Sequence, residues 1–397
     1  MLVEIDGQSD LLTVRHVMAH GDAFTIGRKL AEAVHVVHGD AALPRRADPA
    51  RERVRRRWFE LHHPALAARG RGVADYFGID PDDMTVSLDV LGTLPTKAGC
   101  SVIVHPGSGT VGGHGLLGRN YDFGLTTLSE FVGSQSWPGE RAMVADPWIV
   151  ELHPTNGLAS VTIGMGDVLG AMDGINSAGL AVALLADDVN PALEPSGGLQ
   201  VGLAESQVVR YLLDTCSTVA EAHDALHIAK HYYLALPCHF VVADRTGASF
   251  VWEHSRHRNR EVVVEPDDRL GGRMVCTNHL LHRWPDATGL IDDGVVGTAT
   301  KSFERWTTLT AQASSLQPVS ANDVRTQLTS VAFLDPEAQT RTIWSAVYDL
   351  HDSSVDVVFF RGDSHPSGPL STSIRIELAR PRPLVDAAAN GSISDGH

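Results

Sequence analysis

Long apolar runs are missing from this chain of 397 residues. A helix that crosses a bilayer needs about 20 consecutive apolar residues, so we predict no membrane span. The first six residues include Glu4 and Asp6 and carry none of the positively charged side chains that open a signal peptide. Together these absences predict a cytoplasmic protein.

Positive charge is scarce, and lysine is scarcest of all. The chain has 32 Lys and Arg residues against 48 Asp and Glu residues, which gives a formal net charge of −16. Lysine occurs only at Lys29, Lys97, Lys230 and Lys301. Nucleic acids and anionic membranes attract basic surfaces, so we predict that neither is a partner of this acidic protein.

Cysteine is also rare, and its spacing excludes two kinds of site. Cys100, Cys216, Cys238 and Cys276 are far apart and form no Cys-x-x-Cys pair. The sequence therefore predicts neither a disulfide framework nor a zinc finger. The 20 histidines include no His-Glu-x-x-His motif. We therefore predict no metal site and no required cofactor.

Helical and strand-like patterns alternate in blocks. Helical spacing covers 21–38 and 48–78, interrupted at Pro64, and Asp80-Pro81 has the form of a helix start. Further helices are expected at 200–216, from Thr218, at 302–313 and from Ser320. Strands are expected at 11–16, 101–105, 115–120, 148–153, 158–164, 179–186, 239–244, 248–253, 261–265, 273–277, 341–350, 354–361 and 372–378. Turn signals such as Asn-Gly separate the strands, so this order predicts an α+β protein with antiparallel sheets under helical layers.

Cys100 differs from the other cysteines in its surroundings. A lone cysteine is usually a small buried apolar residue, and we read Cys216, Cys238 and Cys276 in that way. Gly99, however, precedes Cys100 and permits backbone angles closed to other residues. The Cys100 thiol could attack the Gly99 carbonyl, and hydrolysis of the thioester would leave a free α-amine on Cys100. Because its ordinary pKa is about 7.7–8.0, that amine can serve as general base for its own thiol.

Such a site needs a carboxylate for the amine and a cation for the thiolate. Arg119 and Asp122 are the nearest candidates in sequence. If the runs 101–105 and 115–120 form a hairpin, the second strand ends beside the start of the first, which places both side chains next to Cys100. The alternative is an ordinary Arg–Asp pair at a strand end.

The motifs in this order resemble the N-terminal nucleophile hydrolases. They are Gly99-Cys100, Gly118-Arg119-Asn120-Tyr121-Asp122 and the segment Asp173-Gly174-Ile175-Asn176-Ser177-Ala178-Gly179-Leu180. The nearest relatives by this resemblance are the acyl-coenzyme A:6-aminopenicillanic acid acyltransferases. Bile salt hydrolases, penicillin V acylases and acid ceramidase are more distant.

The resemblance implies a four-layer αββα sandwich and a role for each matching residue. Cys100 matches the nucleophile, Arg119 and Asp122 match the residues that contact its thiol and amine, and Asn278 matches an oxyanion-binding asparagine. Arg305 matches a downstream arginine of the bile salt hydrolase branch more loosely. Ala186 stands where bile salt hydrolases carry a second oxyanion asparagine, which favours the acyltransferase branch. Ser101 stands where threonine is common and keeps the hydroxyl.

Other interpretations of these residues stay open. Asn278, next to a histidine after a strand, is often only a turn former. His239 or His279 could orient a thiolate as in papain, although the local sequence typical of papain around the cysteine is absent. The pair Asp173-Gly174 is expected to be a structural turn that feeds the strand at 179–186.

The expected organisation is a propeptide at 1–99 that becomes a small subunit, a catalytic core at 100–380 and a disordered tail at 381–397. The expected function is self-cleavage between Gly99 and Cys100, followed by attack of Cys100 on an amide or thioester carbonyl. The acyl group then passes to water or an amine. The substrate would be a small N-acyl amide or acyl thioester, the two chains would stay associated, and a homo-oligomer is left open. The alternatives are an acyl-coenzyme A-dependent N-acyltransferase with little hydrolysis and an unprocessed, non-catalytic binding protein.

Overall fold

The structure, a computed structural model, describes most of the chain. The described residues are 1–5, 11–88, 99–131, 134–135, 140–187, 202–232, 237–255, 260–292, 300–337, 340–365 and 368–379. The predicted tail at 381–397 therefore lies outside the described residues, as do Lys97 and Ala98, which precede the predicted cleavage site.

The described strands form two sheets. Their bounds are β1 Leu2–Ile5, β2 Val14–Gly21, β3 Gly99–His105, β4 Leu116–Gly124, β5 Pro147–Pro154, β6 Ser160–Met165, β7 Asp173–Asn176, β8 Ala181–Ala186, β9 Cys238–Ala243, β10 Ser249–Ser255, β11 Arg260–Val264, β12 Met274–Cys276, β13 Thr340–Asp349, β14 Ser354–Phe359 and β15 Ile374–Glu377. Within the described residues, the larger sheet has the order β1-β2-β5-β6-β7-β8-β9-β10-β11 and the smaller sheet β12-β3-β4-β13-β14-β15. Neighbours are antiparallel except β2 and β5, which are parallel.

Helices cover the outer faces of both sheets. Their bounds are α1 Ala23–His38, α2 Pro49–His62, α3 Pro64–Phe77, α4 Leu128–Phe131, α5 Glu205–Thr215, α6 Val219–Ile228, α7 Ser302–Ala313 and α8 Ala321–Thr329. The larger sheet contacts α1, α5 and α6, and the smaller sheet contacts α7 and α8. The two sheets meet where β3 packs on β8 and where β12 packs on β10. The predicted four-layer α+β sandwich is confirmed. No helix in the described part of the chain has the length and apolar character needed to cross a membrane.

Local signals placed most helix boundaries correctly. Thr218 caps α6, because its hydroxyl accepts a hydrogen bond from the Glu221 backbone N–H at 3.2 Å. Ser320 caps α8 in the same way with Asp323, whose carboxylate accepts the Ser320 hydroxyl at 2.7 Å. The predicted helix at 302–313 matches α7 residue for residue.

Two local predictions are wrong. Asp80-Pro81 is followed by turns, and the predicted helix does not form there. The Arg56 guanidinium binds backbone carbonyl oxygens of this segment. It donates to the Asp83 and Val86 carbonyls at 2.8 and 2.5 Å, and a helix would need such groups for its own hydrogen bonds. Asp173-Gly174 is part of β7, which pairs with both β6 and β8, and the expected turn is absent at these two described positions.

The N-terminal segment is built into the larger sheet. The predicted strand at 11–16 is realised as β2, which begins at Val14 and continues to Gly21. Each residue of β2 from Arg15 to Gly21 pairs with a residue of β5. Helices α1 and α3 cross closely at Gly27, where an added Cβ would lie 2.0 Å from the Arg69 carbonyl oxygen. The division at residue 99 therefore runs through one shared core and stays a prediction.

Candidate active site

The hairpin of β3 and β4 forms as predicted, but it sets Arg119 and Asp122 on opposite faces of the sheet rather than both beside the thiol. Gly99 pairs with Asp122, Cys100 with Tyr121 and Val102 with Arg119. Because side chains alternate along a strand, Cys100 and Arg119 point to one face of the smaller sheet and Asp122 points to the other. The Cys100 face is turned toward the larger sheet, since its sulfur lies 3.9 Å from the Leu184 carbonyl oxygen of β8.

Arg119 shares the buried face with the thiol. Cys100 and Arg119 are both fully buried. Burial raises the pKa of the Cys100 thiol, while the positive charge of Arg119 opposes that rise. For Arg119, burial alone lowers the pKa, but Cys100 and Asp173 outweigh it and raise the pKa above its usual value. The thiol is therefore protonated near neutral pH, beside a cation that would stabilise its thiolate.

Asp173 is the counter-ion of Arg119, and sequence reasoning missed this role. Its carboxylate, on β7 of the larger sheet, accepts hydrogen bonds from Arg119 Nε and from the Tyr348 hydroxyl. It also accepts the Trp344 indole N–H at 3.1 Å. Arg119 and Asp173 are both shielded from water, so this ion pair links the two sheets directly behind Cys100. The sequence signal that could have prompted a search is the odd spacing of Arg119 and Asp122, which puts their side chains on opposite faces of a strand and leaves Arg119 in need of another acid.

Asp122 lies on the opposite face, toward α7. Its Oδ1 accepts the Thr342 hydroxyl at 2.6 Å. Its Oδ2 lies 3.8 Å from Arg305 Nη1 and has no hydrogen-bond partner within the part of the chain that the structure describes. Burial raises the pKa of this carboxyl, which Arg305 and Thr342 partly counteract. An added Cβ on Gly99 would lie 3.2 Å from Asp122 Cβ, so only glycine leaves this approach unhindered.

Asn278 follows β12 where that strand leaves β3. Cys276 pairs with Val102, so the same register continued by two residues sets Asn278 opposite Cys100. In place of a backbone bond, Asn278 Oδ1 accepts the Cys100 backbone N–H at 2.9 Å. Its Nδ2 donates to the Ala186 carbonyl oxygen at 2.8 Å. The amide thus connects the cysteine backbone to the end of β8.

Arg305 is the residue that ties these groups together. Its Nη1 donates to the Cys100 carbonyl oxygen and, at 2.8 Å, to the Ser101 hydroxyl. Its Nη2 donates to Asn278 Oδ1 at 2.6 Å, and its Nε donates to the Thr300 carbonyl oxygen at 2.7 Å. The structure therefore groups Cys100 with all four other predicted site residues, including the one matched most loosely.

The two histidines that a papain-like site would use, His239 and His279, have other hydrogen-bond partners. His279 Nδ1 lies 3.0 Å from the Ser302 hydroxyl, and burial lowers the pKa of His279 to about 3. His239 contacts Asp187 and the Thr277 carbonyl oxygen. Both rings are hydrogen-bonded to these partners, and neither is hydrogen-bonded to the Cys100 sulfur. Among the described residues, no three His, Cys, Asp or Glu side chains converge as a metal site would require.

Comparisons with known proteins agree with the motifs. Residues 110–363 match the model of the family described as acyl-coenzyme A:6-aminopenicillanic acid acyl-transferase. No curated protein matches the sequence.

Solved structures are similar at low identity. One is a mutant conjugated bile acid hydrolase from Clostridium perfringens, with 13% identity, a TM-score of 0.47 and coverage of 70% of this chain and 92% of that one. Another is penicillin V acylase from Agrobacterium tumefaciens, with 17% identity, a TM-score of 0.41 and coverage of 66% and 83%. A third is the Caenorhabditis elegans ortholog of N-acylethanolamine-hydrolyzing acid amidase, with 15% identity, a TM-score of 0.38 and coverage of 64% and 93%.

Proposed function

The chain belongs to the acyl-coenzyme A:6-aminopenicillanic acid acyl-transferase family, and from this premise we propose that it is a self-cleaving cysteine amidohydrolase and acyltransferase. One observation carries the proposal. The backbone of Cys100 is held on both sides of its Cα, because Asn278 accepts its N–H and Arg305 donates to its carbonyl. Asp122 pairs with Gly99, and its buried Oδ2 can accept a hydrogen bond from a further donor.

Self-cleavage would begin with the Cys100 thiol. The sulfur adds to the Gly99 carbonyl carbon, and the carbon–nitrogen bond between Gly99 and Cys100 breaks as its nitrogen takes up a proton. Water then hydrolyses the thioester, which leaves a carboxylate on Gly99 and both a thiol and an amine on Cys100. The new ammonium carries more N–H donors than the amide did, and Asp122 Oδ2 can accept one of them.

The free amine would then act as base for the thiol. Cys100 attacks the carbonyl of an N-acyl amide, and an acyl thioester forms on its sulfur while the amine leaves with a proton. Arg119 favours the thiolate, and Asn278 Nδ2 supplies a hydrogen bond to the oxyanion beside a backbone N–H. Water or a second amine takes the acyl group and regenerates the thiol.

We propose that the two chains stay associated after the cut. Strand β2 lies between β1 and β5 in the larger sheet, so removing the N-terminal chain would expose the edge of β5. The Ile26 and Leu30 side chains of α1 are also fully buried in the common core. Exposing this apolar surface and an unpaired strand edge would be strongly unfavourable.

Acyl transfer from a thioester donor is the second candidate. The family description names an acyl-transferase that uses acyl-coenzyme A. The two activities share the acyl-Cys100 intermediate and differ only in the acceptor, so products formed with and without an added amine distinguish them. A cytoplasmic location is part of the same proposal.

Intact mass analysis tests the proposal first. The wild-type chain of 42.6 kDa should give two fragments, the larger beginning at Cys100, whereas Cys100→Ala should stay whole. Cys238→Ala is a matched control, because Cys238 is equally buried but begins β9 of the other sheet and should not affect cleavage. The processed protein should release amine from a panel of N-acyl amides. A wild-type chain that stays intact on long incubation would refute self-cleavage and favour the non-catalytic binding protein.

A further inference from the structure

His239 is a buried histidine with an oxygen acceptor at each ring nitrogen. It lies on β9 and is fully buried. Its Nδ1 is hydrogen-bonded to Asp187 Oδ1, at the end of β8, and its Nε2 lies 2.6 Å from the Thr277 carbonyl oxygen. A carbonyl oxygen can only accept, so Nε2 carries a proton.

The proton count then fixes the state of the pair. With Nε2 protonated, the bond to Asp187 needs one more proton, either on Nδ1 or on the carboxyl. The pair therefore holds one proton more than a neutral histidine beside a carboxylate. Burial alone would lower the pKa of His239, but Cys276 and Asp187 outweigh burial and raise it well above its usual value. An imidazolium that donates to both neighbours satisfies these observations.

This histidine closes a ring that contains Asn278. The Asn278 Nδ2 donates to the Ala186 carbonyl oxygen, one residue before Asp187. From Asp187 the ring continues through His239 to Thr277, the residue before Asn278. The Asp187 backbone N–H also donates to the Pro237 carbonyl oxygen at 2.8 Å, which ties the end of β8 to the start of β9.

We propose that His239 and Asp187 are positioning residues that fix the Thr277–Asn278 peptide and so aim the Asn278 side chain at the Cys100 reaction centre. Neither touches the thiol; each acts through the peptide that carries Asn278. The proposal rests on the proposed function, since it concerns the same reaction. A displacement of about 1 Å in such a group can cost about 100-fold in rate.

Three substitutions separate this role from simple packing. In His239→Gln, the side-chain amide can still donate to the Thr277 carbonyl, whereas His239→Leu removes both links. In Asp187→Asn, the amide can donate to Nδ1 of a neutral His239, whose Nε2–H remains on Thr277. The matched control is His231→Gln, because His231 is partly buried and its Nε2 is likewise hydrogen-bonded to a carbonyl oxygen, that of Leu226, outside the ring that contains Asn278.

The processed variants are compared by kcat and KM for one N-acyl amide. We expect His239→Leu to lower kcat by about 10- to 100-fold with little change in KM, since an oxyanion donor acts in the transition state. Asp187→Asn and His239→Gln should each retain clearly more kcat than His239→Leu, and His231→Gln should match the wild type. If the wild type is active and His239→Leu has the same kcat, the inference is overturned.

Proton NMR supplies a readout that needs no activity. The uncut Cys100→Ala chain should show a far-downfield resonance from the Nδ1 proton shared with Asp187, which His239→Gln should abolish and His231→Gln should preserve. Absence of that resonance from the uncut chain would overturn the inference. A wild type that neither cleaves itself nor turns over any amide, yet shows the resonance, would instead overturn the proposed function and with it the catalytic role assigned to the pair.

Discussion

Asp214 is expected to hold the two chains together after cleavage. It lies on α5 of the core and accepts hydrogen bonds from Arg69 of α3 at 2.6 and 3.1 Å. His63, at the start of α3, lies 3.1 Å from the same carboxylate, and Arg210 lies 3.6 Å away on α5. Asp214 therefore joins the segment before residue 99 to the core through a buried charge cluster.

The size of the effect follows from burial. The side chains of Arg69 and Asp214 are only 3% and 5% exposed. Asp214→Asn keeps the shape but leaves two buried guanidinium groups without their counter-ion, and breaking a buried pair in this way costs about 3–5 kcal/mol. In the cut protein this loss falls on association, so the dissociation constant of the chains should rise by about 10²- to 10⁴-fold.

Size-exclusion chromatography of the cut protein in increasing urea measures the release of the N-terminal chain. Asp214→Asn should release it at lower urea than the wild type. Asp224→Asn, a matched change at an exposed aspartate on α6, should behave as the wild type. In the uncut Cys100→Ala background, Asp214→Asn should lower the unfolding midpoint but release nothing. Release of the wild type and Asp214→Asn chains at the same urea concentration would refute the reasoning.

Acid should imitate this substitution in the wild type. Burial raises the pKa of Asp214, but Arg69, His63 and Arg210 together depress it far below its usual value. A carboxyl with a depressed pKa contributes stability that is present above its ordinary pKa of about 4 and is lost as the pH falls further. Chain release should therefore become easier below about pH 4 in the wild type, and this acid-induced step should be smaller in Asp214→Asn.

Two further substitutions test the site and the core. Asp173→Asn should leave the Arg119 charge uncompensated and so lower the pKa of the Cys100 thiol, which can be measured from the pH dependence of thiol alkylation. Trp344→Phe is the control, because it removes one hydrogen-bond donor to Asp173 and no charge. An unchanged thiol pKa in Asp173→Asn would count against the ion pair. Burial lowers the pKa of His105 to about 4. Below about pH 6.5 the unfolded chain therefore binds a proton at this residue that the folded chain does not bind. The free energy of unfolding should fall by about 2 kcal/mol between pH 7 and pH 5. In His105→Gln that pH-dependent loss should vanish in urea unfolding at the two pH values, and an equal loss in both proteins would show that other groups cause it.

The parts of the site that lie close in sequence could be predicted from it. The turn signals and β-branched runs after Cys100 define a hairpin, and the alternation of strand side chains then relates Arg119 and Asp122 to Cys100. The helix caps at Thr218 and Ser320 were equally local. Asn278 and Arg305 came from the family resemblance, because no rule of spacing connects positions so distant in the chain.

The contacts between sheets could not be predicted in this way. Asp173 meets Arg119 only because β7 of one sheet packs behind β4 of the other, and its own neighbours in sequence indicate a turn. The parallel pairing of β2 with β5 also joins segments more than a hundred residues apart. The sequence offers His239 only as a partner for the thiol, because its bonds to Asp187 and Thr277 depend on how β8, β9 and the end of β12 converge.

The division of the site between two faces of one strand indicates what the proposed cleavage would add to it. The thiol of Cys100 points between the sheets, where burial keeps it protonated and Arg119 is the charge beside it. In the described part of the chain, no histidine or carboxylate is hydrogen-bonded to that sulfur to act as its base. Cleavage before Cys100 would free its α-amine. This amine belongs to the same residue as the thiol and could serve as its base. Asp122, whose side chain lies on the face away from the thiol, would then pair with the new base, while Arg119 stabilises the thiolate.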